Sequence, residues 1–212
     1  CGLTSVDLPR TLTEIGDSAF HKCRALASVE LPSTLTTIGK LAFKECSILT
    51  SVKIPEKVTT IKEGTFAKCI ALTSVELPEN LQQINGDFRD AKFDNGAFYE
   101  CSALKTVKLP STLTKIGDGA FEKCGLTSVT IPEGVKEIGR SAFVECSKLT
   151  SVEIPKSVTK IGDSAFFGCS ALTSVTIPEG VNTIENNTFD GCSELEEVTI
   201  PEKVTKIGES AF

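Results

Sequence analysis

Nine cysteines punctuate the chain, at positions 1, 23, 46, 69, 101, 124, 146, 169 and 192. A thiol can ligate zinc, close a disulfide or act as a nucleophile, so spacing decides which chemistry is open. Zinc sites bring two Cys within about two to four residues of each other. Here consecutive Cys stand 22 or 23 residues apart, with one step of 32. The sole histidine, His21, lies at ligand spacing to none of them, and no second His exists to serve as base or ligand. If the segments between Cys stack in register, neighbouring Cβ vectors run parallel, which is poor disulfide geometry. The Cys therefore read as small apolar fillers, each carrying a weak donor. No metal and no cofactor is implied, and His21 is expected as a solvated turn residue.

A second set of chemically capable residues sits in one irregular stretch, INGDFRDAKFDNGAF (84–98). Phe88, Arg89, Lys92 and Phe93 combine aromatic rings with cations, the side chains that favour protein interfaces. Asp87, Asp90 and Asp94 lie among them, but not at the spacing of an EF-hand loop. Two readings stay open: a partner-binding loop, or a loop whose Phe88 and Phe93 fold back over the edge of the core. Gly86 and Gly96 stand where its hinges would be. NNT at 186–188 matches a glycosylation sequon at Asn186. No G-x-x-x-x-G-K-[ST] phosphate loop occurs.

The elements that position these residues follow from the same rhythm. Pro recurs at 9, 32, 55, 78, 110, 132, 155, 178 and 201, and the unit reads C-x-x-L-x-x-V-x-[IL]-P-x-x-[VL]-x-x-I-G-x-x-A-F-x-x. Two copies, at Cys1 and Cys124, shorten C-S-x-L to C-G-L, where Gly tolerates a tighter turn. A stretch such as LTSVTI alternates apolar and polar residues at period two and has strand composition. Pro ends it, because Pro cannot donate to a ladder. VTKIG is a second short extended piece. DSAFFGC is long enough for one helical or 3₁₀ turn only. Gly16 and its equivalents are expected at positive φ, although Lys62, Asn85 and Glu185 replace them. At Lys62 a Gly reappears two residues on, at Gly64.

One such unit cannot bury its own apolar side; stacked units can. Stacking places nine Phe in one column (20, 43, 66, 98, 121, 143, 166, 189 and 212) at the strand repeat of about 4.8 Å. Each buried Phe or Leu contributes roughly 1.5–3 kcal/mol. The expected fold is thus a repeat solenoid over 1–212, with an inserted loop at 85–96. The chain starts and stops inside the pattern and reads as a fragment of a longer protein.

LTSVELPENL (72–81) follows most of the leucine-rich-repeat template L-x-x-L-x-L-x-x-N-x-L. Only Asn80 fits the Asn position; Thr11, Thr34, Lys57, Thr112, Gly134, Ser157, Gly180 and Lys203 stand elsewhere. The whole unit, as in CSALTSVTIPEGVNTIENNTFDG, resembles the BspA-like, or treponemal, leucine-rich repeats. The resemblance implies a right-handed coil with a curved parallel β-sheet of about nine strands, and short strands and single helical turns on the other sides. It also implies a cell-surface or secreted protein that adheres to host or matrix proteins.

Function then rests on the outward columns of the sheet. One is Ser5, Ser28, Ser51, Ser74, Thr106, Ser128, Ser151, Ser174 and Glu197; the other is Asp7, Glu30, Lys53, Glu76, Lys108, Thr130, Glu153, Thr176 and Thr199. Neither holds an aromatic anchor. Ser74, Glu76, Thr106 and Lys108 flank the insertion and, with Phe88, Arg89, Lys92 and Phe93, are the candidate partner-binding set. A net charge of −6 with both signs scattered argues against nucleic acid or an anionic membrane as partner. No apolar run approaches the ~18–20 residues of a membrane span. The expected function is a non-catalytic protein-binding module. The rivals are a structural stalk or spacer, a consensus-designed array and, weakest, an enzyme. Exposed solenoid ends also predict self-association of the isolated chain.

Overall fold

A computed structural model describes residues 1–86 and 96–212. Numbering coils from each Cys, coil 1 spans 1–22, coil 2 23–45, coil 3 46–68, coil 4 69–100, coil 5 101–123, coil 6 124–145, coil 7 146–168, coil 8 169–191 and coil 9 192–212. The described residues form a parallel β-solenoid with three lines of contact between coils.

The back line is built from two-residue strands, one per coil: Glu14–Ile15, Thr37–Ile38, Thr60–Ile61, Gln83–Ile84, Lys115–Ile116, Glu137–Ile138, Lys160–Ile161, Thr183–Ile184 and Lys206–Ile207. All pairing is parallel and in register, Ile on Ile. The front line carries the L-x-x-V-x-[IL] segments. Ser51–Lys53 pairs with Ser74–Glu76, Ser128–Thr130 with Ser151–Glu153, and Ser174–Thr176 with Glu197–Thr199. Side chains there alternate exposed, buried, exposed in five of these six strands, as period-two patterning requires. The solenoid is as expected, but the front sheet is three pairs rather than one ladder of about nine strands.

The third line corrects an expectation. The D-S-A-F segment is not a helical turn. Alternate amides bond within the coil and to the next one. In coil 1, Ala19, His21 and Cys23 donate to Gly16, Ser18 and Phe20, while Ser18, Phe20 and Lys22 donate to Lys40, Ala42 and Lys44 of coil 2. A helix would commit every amide to its own coil, so the stack itself selects against it. This turn ladder crosses every junction between coils.

The turn also relocates the left-handed residues. Gly16 is not among the residues at positive φ; Ser18 and Lys22 are, at 58° and 59°. Gly64, two residues past Lys62, occupies the Ser18 position at 61°. The glycines of the Gly16 column serve a different need. A Cβ on Gly39 would lie 2.4 Å from the Asp17 amide nitrogen, and one on Gly162 would lie 2.6 Å from that of Arg140. Close approach of consecutive backbones is what requires Gly there. The same reason holds for the C-G-L coil: a Cβ on Gly125 would sit 2.1 Å from the Ser102 carbonyl oxygen.

Inside, the Phe column stacks at centroid spacings of 5.1–5.6 Å with rings within 11° of parallel. Seven of its rings, Phe43 to Phe189, are fully buried. The missing Asn ladder is partly replaced by hydroxyls. The Thr34, Thr112 and Ser157 hydroxyls donate to carbonyls of the preceding coil at 2.6–2.8 Å.

Candidate functional site

The cysteines are all free thiols, and seven of the nine are buried. Each thiol from Cys46 onward donates to the carbonyl of the Phe that lies three residues before the preceding Cys, as Cys124 does to Phe98 at 3.0 Å and Cys146 to Phe121 at 3.1 Å. That carbonyl already accepts the amide of the Cys three residues after it. Two Cys thus fill both lone pairs of one buried oxygen, which an Ala could not do. Burial pushes the Cys46 and Cys146 thiols up to about 12 and Cys192 to about 11. These groups are neutral structural donors rather than nucleophiles.

His21 departs from its expected solvated state. It is half-buried, and its Nε2 makes no hydrogen bond, lying 3.7 Å from Glu45 Oε1. Glu45 also takes the Arg24 guanidinium, whose hydrogen bond holds its carboxyl below the ordinary value. Among the described residues no group of three His, Cys, Asp or Glu is placed to hold a metal. No helix there is long and apolar enough to cross a membrane.

The front columns carry the described half of the candidate set. Ser74 and Glu76 are exposed on their strand, and Glu76 pairs with Lys53 at 3.2 Å. Thr106 and Lys108 are exposed on the unpaired front segment of coil 5. They line a cleft of about 320 Å³ with Ser128 and Thr130. Lys108 reaches Glu79 at 3.1 Å. A second front cleft, about 530 Å³, lies over coils 1 and 2 between Ser5, Asp7, Arg10, Ser28 and Glu30.

Phe88, Arg89, Lys92 and Phe93 lie outside the described residues, so the structure places only the feet of the insertion. Those feet are not hinges. A Cβ on Gly86 would meet the Asp118 carbonyl oxygen at 1.4 Å, and one on Gly96 the Gly119 oxygen at 1.8 Å. The Ala97 amide donates to Asn85 at 3.1 Å across the base. Both feet are pressed against one dipeptide of coil 5, at the corner between the back strand and the turn. Ser74, Glu76, Thr106 and Lys108 are one strand away, on the front.

The turn face holds a cluster that the sequence reading passed over. Tyr99, almost fully buried, has the Lys68 and Lys123 ammonium groups each 5.6 Å from its ring centroid. Lys123 also lies 3.7 Å from the buried Glu122 and 3.9 Å from Glu145. A cleft of about 430 Å³ opens beside them, floored by Val144 and Phe167. The available signal was the position after the column Phe. It reads His21, Lys44, Ala67, Tyr99, Glu122, Val144, Phe167 and Asp190 in a chain that otherwise repeats itself. At the sequon, the Thr188 hydroxyl is buried and donates to Glu185 at 2.7 Å, and Asn186 accepts the Glu209 amide.

A family model of BspA type leucine rich repeat regions matches residues 1–88 and 91–212, in six copies. No curated protein matches the chain. A leucine-rich repeat protein from Bacteroides ovatus is 28% identical over 95% of this chain and 68% of that one, with a TM-score of 0.48. The T. pallidum leucine rich repeat protein is 28% identical over 97% of this chain and 71% of its own, with a TM-score of 0.47. A leucine rich cell surface protein from Faecalibacterium prausnitzii is 25% identical over 93% and 79%, with a TM-score of 0.39. With both described stretches covered by that family model, the chain belongs to the BspA-type leucine-rich repeat family.

Proposed function

We propose that this chain is a non-catalytic protein-binding module of a cell-surface or secreted protein, and that its ligands are host or matrix proteins. The supporting observation is the front face. Its outward side chains stay exposed in register over successive coils, and clefts lie between Ser5 and Glu30 and between Thr106 and Thr130. Regular hydroxyls beside charged columns suit an extended polar contact with a protein surface. The proposed contact set is Ser74, Glu76, Thr106 and Lys108 on the front, with Phe88, Arg89, Lys92 and Phe93 in the insertion as its aromatic and cationic part.

One observation favours a spacer without a ligand of its own. Both lysines of the front columns, Lys53 and Lys108, are already paired with Glu76 and Glu79. Direct binding decides between the two. The chain, a variant lacking 87–95 that keeps both anchoring glycines, and a Thr106→Arg, Lys108→Glu variant are titrated with fibronectin, fibrinogen and other matrix proteins. Saturable binding lost in a folded deletion variant places the contact in the insertion; loss in the front-face variant places it on the sheet. No binding by the folded, monodisperse chain rejects the adhesion reading. Light scattering of the same samples tests self-association, for which the exposed Ile200, Ile207 and Phe212 of coil 9 are the proposed surface; a monomer at high concentration rejects it.

A further inference from the structure

Among the described residues the back ladder runs through six of the eight junctions between coils and is missing from two. Thr37–Ile38 does not pair with Thr60–Ile61, and Lys160–Ile161 does not pair with Thr183–Ile184. The amides that would close these junctions, Thr59 and Lys62 in coil 3, Asn182 and Glu185 in coil 8, donate to no backbone carbonyl. Their counterparts Gln82, Asn85, Thr205 and Gly208 do so at 2.7–2.9 Å.

The sequence explains the pattern at one position. These two junctions, and no others, step from Gly to a side chain in the Gly16 column: Gly39 to Lys62, and Gly162 to Glu185. A Cβ in this column points into the backbone of the preceding coil, within 2.4–2.6 Å for Gly39, Gly139 and Gly162. A coil bearing a side chain there must stand off from a glycine coil before it. The reverse step is tolerated: Gly117 follows Asn85, and Gly208 follows Glu185, with the ladder intact. Coils 3 and 8 also carry Thr in place of the Ala before Phe. The Thr65 and Thr188 hydroxyls donate to the carbonyls of Lys62 and Glu185 at 2.8 and 2.7 Å. That bond gives the coil a second way to close its turn.

At the same two junctions the front strands form no ladder either, whereas every other junction keeps at least one ladder, front or back. What remains is one long front amide bond at each, Thr50 to Ala27 at 3.3 Å and Thr173 to Thr150 at 3.5 Å, the turn ladder through Phe43 to Thr65 and Phe166 to Thr188 at 2.8–2.9 Å, the Phe stack at 5.5 Å and, at the first junction, the side-chain bridges Thr65 to the Gly39 carbonyl and Lys40 to Glu63, both at 3.3 Å. We infer that the Gly39–Lys62 and Gly162–Glu185 steps are built-in seams. They divide the solenoid into coils 1–2, 3–7 and 8–9, which flex about the turn face as a hinge line. A solenoid of this kind changes its front curvature at two set places while its core stays closed.

Hydrogen exchange and distance measurements on the 212-residue chain test this. Amides at 59, 62, 182 and 185 should exchange at least about tenfold faster than those at 82, 85, 205 and 208. Lys62→Gly with Thr65→Ala should bring the amides at 59 and 62 down to the rate of their neighbours. Gly139→Lys should open a new seam, raising exchange at 136 and 139 by a similar factor. Non-cysteine probes at Arg10 and Glu56, which span the first seam, should give a broader distance distribution than probes at Ser111 and Lys156, which span none. The Lys62→Gly, Thr65→Ala change should narrow it. Equal widths for the two probe pairs, or fast exchange at 59 and 62 that persists in the folded double variant, would overturn the inference.

Discussion

Each thiol from Cys46 onward satisfies a Phe carbonyl more than a full repeat earlier in the chain, so these cysteines belong to the hydrogen-bond accounting of the core. Raised folded values mean a definite pH response. The neutral thiols stabilise fully below the ordinary thiol range, and that contribution is lost as pH rises through the folded values, about 11 for Cys192 and about 12 for Cys46 and Cys146. Melting temperature should therefore fall steeply from about pH 9 upward; a flat profile to pH 11 would contradict it. At pH 8 a thiol at about 12 is ionised in roughly one molecule in ten thousand. A thiol reagent should modify the exposed Cys1 quickly, the half-buried Cys192 slowly and the rest only in denaturant. Rapid native modification of three or more thiols would refute this. Cys146→Ala removes a donor and a buried sulfur together, and should cost roughly 1–3 kcal/mol in urea titrations.

Among the elements, the back strands bear charges that cross junctions. Glu137 accepts Lys160 at 3.0 Å and Lys115 at 3.1 Å. Burial alone would raise its carboxyl, but the two lysine hydrogen bonds outweigh burial and hold it below the ordinary range, while Glu137 in turn raises Lys160. The sign is definite. Glu137 stabilises above the unfolded carboxylate value and loses that contribution as pH falls through its lowered folded value. Lys160 stabilises below the unfolded lysine value and loses its contribution as pH rises through its raised one. Glu137→Gln should therefore lower stability most near neutral pH and little in strong acid. The effect should be under about 1 kcal/mol, because Lys160 is largely exposed and Lys115 partly so. A constant deficit across pH 2–8 in melts would argue for packing instead. At the insertion, Gly86→Ala and Gly96→Ala force a Cβ onto a backbone oxygen and should destabilise by about 1–3 kcal/mol. Gly2→Ala, in open space, should be neutral, and equal melting temperatures for all three would reject the anchoring role.

For the whole molecule, stability is distributed over repeated junctions, so the cost of a lesion depends on its place in the stack. Phe121→Ala, in a fully buried ring position between Phe98 and Phe143, should cost about 3–5 kcal/mol by denaturant unfolding. The same change at the half-exposed Phe212 should cost much less, and equal losses would count against the stacked core. Deleting 87–95 should leave the melting temperature nearly unchanged if the insertion is a contact loop. A strong drop would mean that Phe88 and Phe93 pack on the core.

How much of this was legible beforehand follows from which relations are local. The period, the columns, the buried Phe, the unreactive Cys and the outward Ser74, Glu76, Thr106 and Lys108 could be read directly. Translation from coil to coil repeats each side chain's environment, so periodicity alone carries burial. The turn at Ser18 to Lys22 reads as helical from sequence alone, because its amides have two acceptors and nothing in D-S-A-F says that alternate ones go to the next coil. Gly16 was assigned a conformational role because a φ requirement is visible within one unit, whereas close approach is a property of two. The seams are the extreme case. Gly39 and Lys62 are each unremarkable, and only their juxtaposition across a junction, one Cβ against a preceding backbone, decides where the ladder opens. Sequence by itself thus determined the repeat, its core and its outward faces; tertiary structure alone decided which coils bond on which side, because that depends on distances between backbones a full coil apart.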